Sequence, residues 1–185
     1  MPNARLELVP PTEEYESQVM SYRMEMLENG DGFDGCAGLE NVQSYGEWLK
    51  FEERLKKLYG GDYVPSDVYL AVRKSDGAVV GIMDYRLRLS DFLFKFGGNI
   101  GYCVRPSERR KGYAKEMLGL LLERCRETGA EKVLVCCDKA NEASRKTITG
   151  NGGVLENEVA DTVGLTESAK KSGNGTIQRY WIKLF

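Results

Sequence analysis

The sequence predicts an α/β fold in which a mixed, mostly antiparallel sheet of about seven strands carries helices on both faces. Three runs of strand-forming residues follow one another closely in the middle of the chain and predict an antiparallel meander. A helix with an apolar stripe then separates the meander from a fourth apolar run, which predicts a strand–helix–strand unit. With 185 residues, the chain is long enough to bury a core in one domain spanning residues 1–185.

Each element is predicted from its hydrophobic pattern and from the residues that end it. The expected strands are Arg5–Val9, Val68–Lys74, Ala78–Leu89, Asn99–Val104, Lys132–Cys137, Val154–Val159 and Ile177–Leu184. The expected helices run from Thr12 to about Glu28, from Ser44 to about Leu58, through the stripe from Ala114 to Cys125 with Gly129 as its cap, and from Asn141 to the glycine at 150. Gly60 and Gly61 should end the second helix, and the polar stretch 160–175 should form a mobile loop.

Composition restricts the chemistry. The chain has no histidine, which excludes Ser-His-Asp and Cys-His catalysis and most zinc sites, so no metal is expected. The net charge of −2 argues against broad nucleic-acid binding. No apolar run has the length of a membrane span or a signal peptide, and the five cysteines are unevenly spaced. We therefore expect a cytoplasmic protein with reduced, mostly buried thiols.

The most informative segment, Tyr-Cys-Val-Arg-Pro-Ser-Glu-Arg-Arg-Lys-Gly-Tyr-Ala at 102–114, joins the end of the meander to the following helix. The first backbone N–H groups of a helix lack partners within it, and the helix dipole favours negative charge there. Gly112 lets the backbone approach a ligand, and Arg109, Arg110 and Lys111 add three positive charges. The segment predicts a pyrophosphate site. The alternative is a solvated basic loop.

The pattern Arg109-x-x-Gly112-x-Ala114 resembles the acetyl-CoA pyrophosphate loop of the GNAT N-acetyltransferase superfamily. The preceding segment 100–106 is similar to the family's fourth strand, and Asn141-Glu-Ala-Ser144 is similar to its downstream Asn-x-x-Ser helix. The resemblance extends from about Val68 to the end of the chain. It implies the GNAT fold, acetyl-CoA as co-substrate, an acceptor-side part at 1–66 and a CoA-binding core at 67–185.

The resemblance also implies roles for individual residues. The strand at 99–104 should part from the strand at 132–137, and the pantetheine arm of CoA should lie in the gap. Backbone groups of Cys103 and Val104 should bind the arm, and one N–H should polarise the thioester carbonyl. The expected CoA-binding residues are Cys103, Val104, Arg109, Arg110, Lys111, Gly112, Tyr113, Ala114, Asn141 and Ser144. Asn141 also suits an ordinary helix N-cap.

The implied reaction is direct attack of a neutral amine on the thioester. A lysine-like amine has a pKa of about 10.4, so a base must take its proton. Asp84 is the first candidate because it stands in an otherwise apolar strand, where burial would raise its pKa; the alternative places it on an exposed face. Tyr102 is a second candidate. Many family members carry a tyrosine four residues after the serine as general acid, and Ile148 stands there instead, so the general acid is unassigned.

The expected acceptor is a primary amine of a small molecule or peptide. Its groove should be walled by the first two helices and the loop 29–41. The acidic residues there suit a cationic acceptor, although a solvated acidic loop is the alternative; they are Glu25, Glu28, Asp31, Asp34 and Glu40. Pairing of the C-terminal strand with a second subunit, as in a homodimer, is left open. Two other functions are considered: a non-catalytic acyl-CoA-binding sensor and an interaction protein without CoA affinity.

Overall fold

The computed structural model describes residues 4–57 and 64–185, which form seven strands and five α-helices. The strands are β1 (Leu6–Val9), β2 (Ser66–Arg73), β3 (Ala78–Arg86), β4 (Ile100–Val104), β5 (Lys132–Asp138), β6 (Val154–Ala160) and β7 (Thr176–Lys183). The helices are α1 (Glu16–Glu28), α2 (Tyr45–Leu55), α3 (Tyr113–Glu127), α4 (Glu142–Thr149) and α5 (Glu167–Ser172). The order of strands and long helices is the one that the sequence predicts.

The strands form two antiparallel sheets, of order β1-β2-β3-β4 and β5-β7-β6. The meander and the α/β class are confirmed, but the expected sheet divides between β4 and β5. One bridge, from Gly98 to Val135, joins the two sheets in the described chain. Next to it, the backbone N–H of Asn99 donates to the carbonyl oxygen of Leu134 at 2.7 Å. Beyond this point β4 and β5 share no ladder, which is the predicted gap.

Helices cover both faces, as predicted, because the strand residues alternate between two apolar cores. One core packs under α3 and α4 and includes Met83, Met117 and Ile148, all fully buried. The other packs under α1 and α2 and includes Trp48 and Ile82. Each fully buried apolar side chain of this size stabilises the fold by about 1.5–3 kcal/mol relative to exposure. The core under α3 and α4 includes residues of both sheets, and the core under α1 and α2 packs on the sheet of β1–β4.

Several boundaries differ from the predictions. The first α-helix begins at Glu16, because residues 13–15 form a 3₁₀ turn and the Thr12 hydroxyl donates to Glu14 at 2.8 Å instead of capping. The strand expected to reach Leu89 ends at Arg86. The stretch 160–175, expected to be a loop, contains α5, whose N-cap Thr166 accepts from the backbone of Ala169. The expected helix end at Leu58, Gly60 and Gly61 lies outside the described residues.

The C-terminal strand cannot pair with a second subunit in the way that was left open. β7 lies between β5 and β6 and uses both of its edges within the chain. The edge strands of this sheet are β5, which faces the gap, and β6, nearly all of whose residues are exposed. Strand pairing with a second subunit through this sheet would therefore use an edge strand such as β6 rather than the C-terminal strand.

The loop between α1 and α2 lies directly on β4. Gly35, in the left-handed region at φ +77°, packs so closely that a Cβ atom there would lie 2.3 Å from the carbonyl carbon of Gly101. Only a glycine allows both this backbone angle and this approach. The contact fixes one wall of the groove above β4.

We expect Gly35→Ala to lower the free energy of unfolding by about 2–4 kcal/mol, because it combines left-handed strain with overpacking against backbone. Gly30→Ala is the matched control: Gly30 has φ +68° but no atom near its missing Cβ, so we expect a cost of about 1 kcal/mol. Denaturant unfolding of both variants measures the difference. An equal loss of unfolding free energy in the two variants would contradict the claim that the close packing of Gly35 on Gly101 excludes a Cβ atom.

Candidate active site

The loop before α3 presents backbone donors at the helix N-terminus. Arg110 and Gly112 both have left-handed backbone angles, at φ +64° and +82°. Gly112 is the N-cap of α3 and offers no side chain to the first-turn N–H groups. A left-handed angle at a non-glycine residue such as Arg110 is unusual and marks a loop whose shape is imposed by its surroundings. The open N–H groups and the helix dipole together form an anion site.

The three cations predicted for this loop differ in what they contact. Both Nη atoms of Arg109 bind the Asp31 carboxylate, at 3.1 and 2.7 Å, and its Nε donates to the carbonyl oxygen of Val104. Lys111 pairs with Glu108 at 2.8 Å. Arg110 is exposed, and its charge acts on Glu142 at the start of α4. Arg109 therefore ties the loop to the α1–α2 segment, and Arg110 is the better placed cation for a ligand.

Tyr113 and Ala114 contribute differently from each other. The Tyr113 ring is buried beneath the guanidinium groups of Arg5 and Arg73, and its hydroxyl accepts from Arg73 at 3.2 Å. Its side chain thus packs beneath the loop, and its backbone N–H remains part of the first turn of α3. Ala114 is half-buried in that turn. Neither side chain obstructs the anion site.

The backbone of β4 alternates between its neighbour β3 and the gap. The N–H of Arg105 donates to Val80 on β3, and the N–H of Arg86 donates to the carbonyl of Asn99. Because backbone groups alternate along an antiparallel strand, those of Cys103 also face β3. The backbone groups of Val104 face the gap. The Cys103 thiol donates to Gly32 of the α1–α2 loop at 3.4 Å. Of the two residues predicted to bind the arm, Val104 has the suitable orientation.

A tyrosine and a serine meet across the gap. The Tyr102 hydroxyl on β4 lies 2.8 Å from the hydroxyl of Ser144 on α4. Burial raises the pKa of Tyr102 well above its usual value, while the bond to Ser144 opposes that shift. Asn141 accepts from the backbone N–H of Ser144 at 3.0 Å, so it is the N-cap of α4, as predicted. The pair places a protonated hydroxyl between β4 and α4.

The position where relatives carry a tyrosine is part of the core. Ile148 is fully buried under α3 and cannot take a proton-transfer role. Tyr180, a nearby tyrosine, donates to the side chain of Gln178 at 2.7 Å. Tyr102 lies 42 residues before Ser144 in the chain, so no local spacing pattern could have paired them.

Asp84 is buried, so the exposed-face alternative is wrong. One carboxylate oxygen accepts from the backbone N–H of Gly101 at 2.9 Å, and the other pairs with Arg86 at 3.0 Å. Burial raises the pKa of Asp84, and the Arg86 charge and the Gly101 bond act in the opposite direction. Asp84 points to the face covered by α1 and α2, the opposite face from Met83. It lies beneath the α1–α2 loop, where an acceptor was expected.

The acidic wall is less negative than its sequence suggests. Glu25 pairs with Arg105 at 2.7 Å and accepts from the backbone of Ser107, and these bonds lower its pKa against the effect of burial. Asp31 is bound by Arg109. Both carboxylates hold the α1 side against the loop before α3. Asp34 remains exposed, and its charge raises the pKa of Asp84.

No group of three or more His, Cys, Asp or Glu side chains within 4–57 and 64–185 could hold a metal ion. No helix in the same part of the chain is long and apolar enough to cross a membrane.

Solved structures share this architecture. A RimL ribosomal L7/L12 α-N-protein acetyltransferase in complex with coenzyme A aligns with a TM-score of 0.69 at 17% identity, over 98% of this chain and 95% of that one. The putative acetyltransferase yncA of Salmonella typhimurium with acetyl-CoA aligns at 0.64 and 14% identity, over the same shares of the two chains. A dodecameric spermidine N-acetyltransferase from Vibrio cholerae aligns at 0.67 and 11%, again over 98% and 95%. At these identities the likeness concerns the fold.

Sequence comparison identifies the family. No curated protein matches the chain. The family profile described as "Acetyltransferase (GNAT) domain" matches residues 5–154, from the start of β1 to the start of β6. That range contains the open N-terminus of α3, the gap between β4 and β5, and the Tyr102–Ser144 pair. The chain therefore belongs to the GNAT acetyltransferase family.

Proposed function

We propose that the protein transfers an acetyl group from acetyl-CoA to a primary amine of a small molecule or peptide, without an acyl-enzyme. The observation that carries this proposal is the Tyr102–Ser144 pair, which joins β4 to α4 where β4 and β5 belong to separate sheets. Acetyl-CoA supplies an activated acyl group with a thiolate as leaving group. The chain offers donors for its phosphates at one end of the gap and a hydroxyl for its sulfur farther in.

Several residues would hold the donor. The first-turn N–H groups of α3 and the Arg110 guanidinium would bind the pyrophosphate. Arg109 and Lys111 would stabilise the conformation of the loop through their ion pairs with Asp31 and Glu108. The Val104 N–H, turned toward the gap, would donate to the thioester carbonyl oxygen as that oxygen gains negative charge. Asn141 would act indirectly, because its side chain fixes the first turn of α4 and with it Ser144.

Two side chains would move protons. Asp84, directly or through a water molecule, would accept a proton from the acceptor amine as its nitrogen attacks the carbonyl carbon. Tyr102 would donate its proton to the sulfur as the C–S bond breaks, with Ser144 holding its hydroxyl in place. A tyrosine of raised pKa stays protonated at neutral pH and is therefore ready to donate to a thiolate. Tyr102 thus takes the general-acid role that Ile148 cannot.

A non-catalytic acyl-CoA sensor is the alternative that the missing tyrosine at 148 favoured. The Tyr102 hydroxyl weakens that argument because it supplies a donor from another strand. Amine-dependent release of CoA distinguishes the two functions. A cytoplasmic location and a homodimer remain predictions, as does the division into an acceptor-side part at 1–66 and a CoA-binding core at 67–185.

We expect Gly112→Glu to weaken acetyl-CoA binding at least 100-fold, about 2.7 kcal/mol, because it places a negative charge and a strained backbone at the phosphate site. Gly129→Glu is the matched control: Gly129 also has a left-handed angle, φ +78°, with no atom near its missing Cβ, but lies just beyond the other end of α3. Isothermal titration measures both affinities. Unchanged affinity in Gly112→Glu would contradict the assignment of this loop.

We expect Tyr102→Phe to lower kcat by about 10–100-fold while the acetyl-CoA affinity changes less than about threefold, since a general acid acts mainly in the transition state. Tyr180→Phe removes a hydroxyl bonded to Gln178 and should leave kcat within about twofold. Steady-state kinetics with titration of acetyl-CoA separate the two effects. A normal kcat in Tyr102→Phe would exclude this residue as the acid.

We expect Asp84→Asn to lower kcat/KM about 10–100-fold at pH 7 and less than about threefold near pH 11, where most of a lysine-like amine is already neutral. Asparagine keeps the oxygen that accepts from Gly101 but cannot take a proton. A general base must be ionised to accept a proton, so wild-type activity should rise as the pH increases through the raised pKa of Asp84. A pH–rate profile parallel to wild type would remove Asp84 as the base.

A further inference from the structure

A row of polar side chains crosses from one sheet to the other on the face opposite α3 and α4. Asp84 and Arg86 lie two residues apart on β3 and form an ion pair at 3.0 Å. Cys136 on β5 stands directly opposite Arg179 on β7. The positive charges of Arg86 and Arg179 both act on the Cys136 thiol, so both guanidinium groups lie near it. The row therefore runs from the proposed base Asp84 through its partner Arg86 to Arg179.

Arg179 is buried with its hydrogen-bonding capacity incompletely used. Its Nε donates to the carbonyl of Phe94, and its Nη1 donates to Asn157 and pairs with Glu156 at 2.9 Å. Its Nη2 has no hydrogen-bond partner, although only 6% of the side chain is exposed. Guanidinium carries two N–H donors on that nitrogen, and leaving charged donors buried without acceptors is unfavourable.

A purely structural role accounts for only some of the hydrogen-bond donors of Arg179. Its Nε bond to Phe94 holds the turn Leu93–Gly97, and Arg86 holds the same turn through the carbonyls of Gly97 and Gly98. That role uses Nε, while Nη2 contributes nothing to it. The Phe94 ring lies over the guanidinium at 4.6 Å and is itself 48% exposed. A rotation of this exposed ring would uncover the free edge of the guanidinium.

We propose that Nη2 of Arg179 binds a carbonyl or carboxylate oxygen adjacent to the amine of the acceptor, with Phe94 as the cover that moves aside. The acceptor class is then an α-amine, either of a free amino acid or of a peptide N-terminus, rather than a polyamine. Guanidinium binds such oxygens through directed N–H donors. The inference rests on the proposed acetyl transfer and specifies its acceptor.

The charges around the groove agree with this class. Asp84 and Asp34 supply negative charge for an ammonium group at one end of the row, and Arg179 supplies donors for an oxygen at the other end. A polycation would need more free carboxylates. Glu25 and Asp31, two of those expected to attract it, are already bound by arginines.

The test compares acceptors that differ only in the oxygen-bearing group, with saturating acetyl-CoA. Amino acids, their amides, short peptides and the corresponding decarboxylated amines form matched sets, and spermidine is included. We expect wild type to favour the oxygen-bearing member by at least tenfold in kcat/KM. Amino acids and peptides as separate sets distinguish the two sources of the α-amine. A preference for decarboxylated amines or spermidine would overturn the inference.

Arg179→Met should lower Tm, because it removes the bonds to Phe94, Asn157 and Glu156. In the folded variant the preference should fall to within about twofold, while acetyl-CoA affinity stays close to wild type. A preference that persists in a folded Arg179→Met would overturn the inference. If this variant does not fold, Glu156→Gln replaces it, since this partly exposed side chain offsets the guanidinium charge. We then expect the preference for carboxylate-bearing acceptors to rise two- to threefold, and an unchanged preference would overturn the inference.

The outcomes separate this inference from the proposed function. Turnover of spermidine or decarboxylated amines alone would leave acetyl transfer standing and remove the role of Arg179. Acetyl-CoA binding without transfer to any amine in the panel would overturn both, in favour of the sensor.

Discussion

The connection at Asn99 is the constraint on which the site depends. Its backbone N–H binds the carbonyl of Leu134, its side-chain oxygen accepts from the N–H of Leu134, and its side-chain nitrogen donates to Arg86. This buried amide thereby joins β3 and β4 to β5 at a single point. Because the strand bridge between the sheets occurs only there among the described residues, β4 and β5 part beyond it, and their facing backbone groups have no partner on the opposite strand. A continuous ladder would have used those groups and closed the gap.

Different polar side chains are buried on the two sides of the gap, a tyrosine on one side and a carboxylate on the other. Tyr102 and Ser144 meet on the side of α3 and α4, where burial keeps the tyrosine protonated. Asp84 lies on the other side, beneath the loop that Gly35 presses against β4. Successive residues of a strand face opposite sides of a sheet, so the proposed donor to sulfur and the proposed acceptor of the amine proton lie on opposite sides of it. In the proposed reaction the fold thus separates acid from base.

Several charged residues that the sequence assigns to ligand binding form ion pairs with each other in the structure. Arg109 and Asp31, read separately, suggested a phosphate ligand and an acidic wall, but they bind each other and join the α1–α2 loop to the loop before α3. Glu25 and Arg105 do the same. Both pairs connect α1 and the loop after it to the segment that precedes α3, so the shape of the groove above β4 is coupled to that segment. What remains free for ligands is the backbone of that loop and the exposed Arg110.

The sequence alone determined the order of the strands and long helices and the burial on both faces, and it predicted an anion site before α3, because these depend on local periodicity and on glycine at a helix start. It also singled out Asp84 through one charge in an apolar strand. The sequence could not show that Tyr102 contacts Ser144, which way the backbone of Cys103 faces, or that Arg109 neutralises Asp31. Each of these contacts joins residues that are far apart in the chain. The unsatisfied Arg179 is likewise visible only after packing. Tertiary structure decided these points, since contact and burial determine which polar groups are left available for a ligand.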